Sequence, residues 1–149
     1  MIMRYWLLTW NPNRYPWDDL HGGYFDSINR IKQVGKIYDT WSTGVNISIK
    51  EGDRVFLIRL GIEPKGIVAS GYAATGVFKS PHWELERALK GEMSNHIYIE
   101  FDKIVEIEKS PLKMSVLKQI SPTYKWSSQA SGISIPKDIA LELEKRWNI

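Results

Sequence analysis

Residues 4–12 read Arg4-Tyr5-Trp6-Leu7-Leu8-Thr9-Trp10-Asn11-Pro12. Aromatic and branched residues fill positions 5–9, and such residues favour extended structure. The Asn-Pro pair ends that pattern, because proline cannot donate to a strand ladder and both residues favour turns. The stretch therefore predicts a strand over residues 3–9 that runs into a turn, with Trp10 at the junction.

Hydrophobic spacing indicates further strands and helices along the rest of the chain. A three-residue spacing of apolar residues over Tyr24–Val34, followed by Gly35, predicts a helix with a glycine C-cap. Further helices are predicted over residues 81–90, 111–120 and 136–147, and further strands over 37–42, 54–60, 67–78 and 96–108. We therefore expect one α+β domain spanning residues 1–149, built as a curved sheet or open barrel with peripheral helices.

Two of the predicted strands carry signs of irregular pairing. Gly66, Gly71 and Gly76 recur at five-residue intervals, which indicates bulges or backbone packed closely against a neighbour. The alternation of apolar residues after His96 shifts register near Asp102, as in a long bent strand. Both features are typical of a sheet that curves.

Composition excludes several classes of protein. A length of 149 residues, 43% hydrophobic and 25% charged, is that of an ordinary globular domain rather than a disordered segment. The absence of cysteine excludes disulfides and thiolate chemistry, and it fits a reducing compartment. No apolar run has membrane-spanning length, and the N-terminus has no secretory hydrophobic region. We therefore expect a soluble domain in the cytoplasm.

The charge balance gives only slight support to a nucleic-acid partner. Twenty lysines and arginines against 17 aspartates and glutamates give a net charge of +3. Nucleic-acid-binding proteins usually gather such charge on one face, which neutralises phosphates. Here the basic residues are scattered from Arg4 to Arg146, so the sequence does not indicate whether the fold collects them.

The seven tryptophans are the strongest functional signal, because three of them have small polar neighbours. Trp10 precedes Asn11, Trp41 precedes Ser42-Thr43, and Trp126 precedes the segment 127–132 with its serines and Gln129. A flat ring beside a hydroxyl or amide suits a pocket for a flat polar ligand, of which a nucleobase is the commonest. Core packing is the competing explanation for each ring, and it is the expected role of Trp6, Trp83 and Trp147.

Four segments in this order resemble those of EVE domains. They are Tyr5–Pro12, Trp41-Ser42-Thr43-Gly44, Gly52-Asp53-Arg54-Val55-Phe56-Leu57 and Gly66-Ile67-Val68-Ala69-Ser70-Gly71. The similarity continues to Gly132-Ile133-Ser134-Ile135 before the last predicted helix, so it covers nearly the whole chain. EVE domains belong to the PUA-like group, alongside ASCH and YTH domains.

This resemblance implies a fold, a ligand class and a context. The implied fold is a PUA-like pseudobarrel of mixed, mostly antiparallel strands with helices packed around it. The implied ligand is a flipped-out, often modified, nucleobase in RNA or DNA. In YTH domains a Trp-x-Ser-like segment forms one wall of an aromatic cage around a methylated adenine, and Trp41-Ser42-Thr43 lies in the matching place. EVE-like modules also occur fused to enzymes of modification-dependent restriction, which implies partner proteins in a defence or RNA-processing system.

From these residues we predict a base-binding pocket. Trp41 forms one wall and Trp126 another, with Trp10 and Thr43 beside them. Asn11, Ser42 and Gln129 contact the edge of the base, since amides pair a donor with an acceptor as base edges do. Arg59 and Lys79 contact the flanking phosphates.

Catalysis and metal binding have little support in the sequence. None of the three histidines has metal-ligand spacing to another, and neither a phosphate loop nor a Gly-x-Ser-x-Gly elbow is present. We therefore predict no catalytic residue, metal or cofactor. A carboxylate-dependent hydrolase using Asp53, Glu63 or Glu84 stays open, because such dyads have no spacing signature. The adjacent pair at positions 18 and 19 is expected on the surface or at a helix cap.

A third possibility is a small-molecule sensor or protein-interaction module that uses the same pocket, because fold does not fix function. The charge around the pocket distinguishes these alternatives. A basic rim near Trp41 favours a polynucleotide, whereas a neutral or acidic rim favours a free base, a nucleoside or a peptide.

Overall fold

A curled mixed sheet with helices around it forms the protein. The computed structural model describes residues 2–17 and 23–148. Its strands are β1 Tyr5–Trp10, β2 Ile37–Gly44, β3 Arg54–Arg59, β4 Gly66–Ala73, β5 Phe78–Pro81, β6 Met93–Ile104 and β7 Ile133–Ser134. Its helices are α1 Tyr24–Val34, α2 Leu85–Leu89, α3 Met114–Ile120 and α4 Lys137–Trp147, with a 3₁₀ turn at Ile107–Lys109.

The sheet has the strand order β2-β6-β4-β3-β1-β7, and β5 pairs with β6 beside that path. β1 runs parallel to β3, while the other pairs are antiparallel. β1 and β2 are far apart in this order, yet the indole N–H of Trp41 donates to the Thr9 carbonyl at 3.0 Å. The sheet therefore curls into a half-barrel, and the predicted α+β pseudobarrel of mixed, mostly antiparallel strands with peripheral helices is confirmed.

Strand β1 contributes to two hydrophobic cores because successive side chains point to opposite faces of a strand. Trp6 and Leu8 belong to the inner core, which also contains α1 residues. Leu7 belongs to a second core between the sheet and helices α3 and α4, where Trp147 is fully buried. The expected core role of Trp6 and the anchoring role of Trp147 are confirmed.

Several local predictions agree with the structure. Helix α1 ends at Gly35, whose φ of 87° lies in the left-handed region that glycine adopts without strain. A Cβ at Gly71 would lie 2.5 Å from the Glu100 carbonyl oxygen, so the predicted close backbone approach is present. Ser70 pairs with Lys103 and Gly71 with Phe101, which leaves Asp102 as the predicted bulge residue.

Other elements differ from the predictions because long-range hydrogen bonds override local pattern. The strand predicted over residues 67–78 is divided, since β4 ends at Ala73 and β5 begins at Phe78. Helix α3 begins at Met114 rather than at residue 111, because Ile67 N–H bonds to the Leu112 carbonyl at 2.9 Å and holds that segment against β4. The short strand β7 follows from pairing with β1, which no local pattern indicates.

A buried arginine attaches helix α4 to the sheet. Arg54, whose side chain is 3% exposed, donates to Asp102 at 2.9 Å and to both carboxylate oxygens of Glu144 at 3.0 Å. Burial alone would lower the pKa of Arg54, but the hydrogen bonds that Arg54 donates to Glu144 and the charges of both carboxylates outweigh it and raise the pKa. Trp147 extends the cluster, because its indole donates to Ser70 at 2.8 Å.

We expect Arg54→Met to lower the free energy of unfolding by about 3 kcal/mol, because it leaves two carboxylates close together without their cation. Chemical denaturation measures this change. Lys36→Met is the matched control, since Lys36 pairs with Glu100 at the surface, where an ion pair adds little. Equal stability of the two variants would contradict a stabilising role for the Arg54 cluster.

Candidate functional site

A cavity of about 310 Å³ opens between the ends of β1 and β2 and the segment that follows β5. Its aromatic lining consists of Trp10, Tyr15, Trp41 and Trp83. Its polar lining consists of Thr9, Asn11, Arg14, Thr40, Ser42, Ser80, His96, Gln129 and Ser131, with Pro81 completing the wall. This volume lies at the small end of ligand pockets, so it suits a nucleobase or nucleoside better than a larger ligand.

Trp41 is a fixed part of this cavity. It is 6% exposed, and its ring meets Tyr15 and Trp17 edge-on, with centroids 5.5 and 4.9 Å apart. Its N–H is occupied by the Thr9 carbonyl, and the N–H of Trp10 is occupied by the Tyr15 carbonyl at 2.6 Å. Both indoles therefore offer a ligand ring carbons and no hydrogen-bond donor.

Trp83 is the aromatic residue that the sequence prediction assigned to helix packing. It is half-buried and lines the cavity. The Arg14 guanidinium lies 5.0 Å from its ring centroid, and the His82 ring stacks on it at 5.2 Å. No local pattern marked Trp83, since the long-range pairing of β5 with β6 brings it to the cavity.

The polar groups of the cavity include donors that the fold does not use. The Ser42 hydroxyl oxygen accepts the Gly44 N–H at 3.3 Å, so its O–H can donate to a ligand. Asn11 accepts the Asn13 N–H at 2.9 Å through its carbonyl oxygen, which fixes the turn and leaves the NH₂ group for a ligand. Gln129 is exposed at the rim. All three of these residues line the one cavity.

His96 adds a group that the sequence analysis did not single out. Burial lowers its pKa below the ordinary value of 6.5, and the nearby His82 lowers it further, so the ring is neutral at pH 7. Its Nδ1 lies 3.2 Å from the Ser94 carbonyl oxygen. Donation from Nδ1 to that carbonyl makes Nε2 an acceptor, which complements the donors of Ser42 and Asn11.

The cavity is nearly neutral. Arg14 is its one charged lining residue within the described ranges 2–17 and 23–148, and its guanidinium pairs with Glu84 at 2.9 Å. Neither aspartate nor glutamate is among the described lining residues. Because a neutral rim favours a neutral ligand over a polynucleotide, the cavity alone suits an uncharged base or nucleoside.

Two predicted base-binding residues lie elsewhere. Trp126 is 2% exposed in the second core, where its indole donates to the Ser121 carbonyl at 3.0 Å and its ring packs on Tyr124. It does not line the cavity, whereas Trp83 does. Thr43 is fully buried and donates to the Asn46 carbonyl at 2.8 Å, so it holds the turn after β2 rather than facing a ligand.

The two predicted phosphate contacts also lie outside the cavity lining. The Arg59 guanidinium sits 6.0 Å from the Trp10 ring centroid, because the parallel pairing of β1 with β3 places these residues side by side. Lys79 is exposed on β5, one residue before Ser80 of the lining. Trp10, Asn11, Trp41, Ser42 and Gln129 are the predicted site residues that the cavity collects.

The candidate catalytic carboxylates do not converge on the cavity. Asp53 accepts the indole N–H of Trp6 and the backbone N–H of Lys50, both at 2.9 Å, which makes it a turn-stabilising residue. Glu63 is exposed at the surface, and Glu84 pairs with Arg14. The pair Asp18 and Asp19 lies outside the described residues. Over residues 2–17 and 23–148 there is neither a metal-binding group of three or more ligands nor a helix able to cross a membrane.

Solved structures share this fold. Protein PSPTO5229 from Pseudomonas syringae superposes with a TM-score of 0.61 at 19% identity, over 95% of this chain and 99% of that one. Human THYN1, solved in complex with DNA containing 5-methylcytosine, gives 0.61 at 12% identity, over 95% and 96%. A hypothetical protein from Leishmania major gives 0.61 at 12%, over 97% and 94%. The chain shares the fold of these three proteins.

The EVE resemblance of the sequence is thereby confirmed at the level of fold. No protein-family model and no curated protein matches the chain by sequence. In this fold the Trp41-Ser42 segment lies on the edge strand β2, at the cavity. The segment Gly52–Leu57, by contrast, forms a turn and strand of the core.

Buried His96 makes stability depend on pH in a defined direction. The unfolded chain, in which His96 has its ordinary pKa, takes up a proton before the folded chain does. The free energy of unfolding therefore falls as the pH drops through about 6.5 and levels off below the folded pKa. Urea denaturation at several pH values should show a weaker fall for His96→Gln than for the wild type. The same pH dependence in both proteins would contradict a neutral buried His96.

Proposed function

We propose that the protein is a binding module that accommodates a flipped-out, modified nucleobase of RNA or DNA in the cavity of Trp41 and Trp83. The observation that carries the proposal is the lining itself, in which aromatic surface lies beside hydroxyl, amide and imidazole groups. The fold supports it further, because human THYN1 was solved with DNA containing 5-methylcytosine.

Stacking and methyl burial together would offset the cost of extruding the base from its strand. Extruding a base costs a few kcal/mol, and least when the base is damaged, mismatched or already single-stranded. Stacking on an aromatic ring returns about 1–3 kcal/mol per base. A methyl group in an apolar slot adds about 1–3 kcal/mol, which corresponds to roughly 10–200-fold discrimination. An extruded methylated base can therefore be bound in preference to the plain one.

The aromatic and the polar lining residues have different roles in this proposal. Trp41, held by the Thr9 carbonyl, supplies a preorganised surface, and Trp83 supplies ring area on the side where Arg14 lies. Ser42, Asn11 and Gln129 bind the base edge, with neutral His96 as an additional acceptor. 5-Methylcytosine is the first ligand to test, because of the THYN1 complex, and methylated adenine is the second.

A free nucleoside-like ligand is the second candidate, and the neutral lining favours it. Under either candidate we propose a binding role and not catalysis, because the candidate carboxylates lie outside the lining. We further propose that the module acts in the cytoplasm and that a partner protein of a defence or RNA-processing system acts on the bound nucleic acid.

We expect Trp83→Ala to weaken binding of an oligonucleotide carrying 5-methylcytosine by about 5- to 150-fold, which is the loss of one stacking contact of about 1–3 kcal/mol. Trp83→Phe, which keeps an aromatic face, should retain most of the affinity. Fluorescence anisotropy with labelled modified and unmodified strands measures both. Trp83 suits this test because it is half-buried, whereas Trp41→Ala would also remove core packing.

Phe25→Ala is the matched control, because Phe25 is an exposed aromatic residue of α1 that does not line the cavity. Its affinity and its preference for the modified base should equal those of the wild type. If Trp83→Ala binds as tightly as Phe25→Ala, and both keep the wild-type preference for the modified strand, the cavity is not the base-binding site.

A further inference from the structure

Positive charge is concentrated in one segment of the chain. Residues 109–137 contain five lysines and neither aspartate nor glutamate. The whole chain has 20 basic and 17 acidic residues, so the remainder has 15 and 17 and a net charge of −2. The basic character of the protein therefore resides in residues 109–137, which begin at the 3₁₀ turn and end at the start of α4.

Three of the five lysines have side chains without an ion-pair or hydrogen-bond partner among the described residues, namely Lys118, Lys125 and Lys137, the last at the start of α4. Lys109 pairs with Glu106, and Lys113 donates to the carbonyls of residues 108 and 110. Lys118 and Lys125, by contrast, are exposed and form no ion pair or side-chain hydrogen bond within the described residues 2–17 and 23–148. These two lysines are thus available to an anionic partner.

Lys118 and Lys125 line the same open groove, of about 510 Å³. Tyr124 and Trp126 lie at its base, Trp126 with only 2% of its surface exposed, and their ring centroids are 4.5 Å apart. Tyr124 donates to the Ser134 carbonyl at 2.8 Å and Trp126 to the Ser121 carbonyl at 3.0 Å, so both rings are held in place. No acidic residue is among the described lining. The groove combines a rigid apolar floor with uncompensated positive charge.

The groove and the base cavity are lined by adjacent residues of the chain. Ser128 lines the groove and Gln129, the next residue, lines the cavity. Consecutive Cα atoms are about 3.8 Å apart, so a single stretch of backbone separates the two concavities. That stretch is anchored at the cavity, because Ser131 donates to the Ser42 carbonyl at 2.8 Å.

We propose that this groove holds the sugar–phosphate backbone of the nucleotides that flank the base in the cavity. The proposal rests on the function proposed above. Lys118 and Lys125 each contact a phosphate, and the hydroxyls of Ser127 and Ser128 donate to phosphate or sugar oxygens, as polar side chains do along a bound strand. Sequence-independent affinity then comes from the groove, and base preference comes from the neutral cavity.

A polynucleotide fits these observations better than an acidic peptide does. A peptide would account for the two lysines but would leave the adjoining aromatic cavity, lined by Trp41 and Trp83, without an occupant. A nucleic-acid strand occupies both concavities at once, because its anionic backbone and its flat neutral bases are linked at every nucleotide.

The test compares Lys118→Gln/Lys125→Gln with Lys50→Gln/Lys145→Gln, which removes the same charge from exposed positions outside both concavities. Anisotropy with a single-stranded 5-methylcytosine oligonucleotide of about 12 nucleotides, a length within the range of single-domain sites, is measured at several salt concentrations. We expect Lys118→Gln/Lys125→Gln to bind more weakly, with the slope of log K against log salt reduced by about 1.4, or about 0.7 per lost phosphate contact. The control pair should keep the wild-type slope.

A second arm uses the nucleoside 5-methylcytidine, measured by calorimetry, because it has no phosphate. Its affinity for Lys118→Gln/Lys125→Gln should equal that of the wild type.

An unchanged salt slope for oligonucleotide binding by Lys118→Gln/Lys125→Gln would overturn the groove assignment, while a retained preference for the modified strand would leave the proposed function standing. A reduced slope together with no base preference in the wild type would support the groove and overturn the proposed cavity function. Competition by polyglutamate as strong as by unlabelled oligonucleotide would overturn the nucleic-acid assignment of the groove.

Discussion

The hydrogen bond from the Trp41 indole to the Thr9 carbonyl is the contact on which the site depends. It joins β1 and β2, which do not pair in the sheet, and so it keeps the half-barrel curled. Ser131 reinforces the same closure by donating to the Ser42 carbonyl. Because the cavity lies between these strand ends, the bond that shapes the fold also orients the ring proposed to receive the base. A substitution at Trp41 would therefore disturb the fold and the site together.

A second constraint is the separation of charge from the cavity. Extruded bases are neutral and phosphates are anionic, so one concavity cannot suit both equally well. Here the cavity has one charged lining residue, Arg14, already paired with Glu84, whereas the adjoining groove has Lys118 and Lys125 without partners within the described residues. This arrangement accounts for a weak overall net charge in a protein proposed to bind nucleic acid, since the relevant charge is local.

Local patterns predicted the elements well and the site only in part. Helix α1 and its Gly35 cap follow from apolar spacing, and the bulge at Asp102 follows from a break in alternation. The Trp41-Ser42 segment was predicted because polar and aromatic residues adjoin in sequence. The same reasoning misplaced Trp126, whose serine neighbours face the groove while its ring is buried. Trp83 and His96 reach the cavity through the pairing of β5 with β6, a long-range contact that no local pattern encodes.

The most direct measurement of the central claim is a ¹H–¹⁵N NMR titration that follows the indole N–H signals of the tryptophans while 5-methylcytosine oligonucleotide is added. A base in the cavity should shift the signals of Trp10, Trp41 and Trp83, which line it, and leave those of Trp6 and Trp147 in place, because both are buried away from it. Substituting the unmodified oligonucleotide should give smaller shifts at the same protein concentration. A titration in which Trp41 and Trp83 keep their positions while binding is complete would contradict the account.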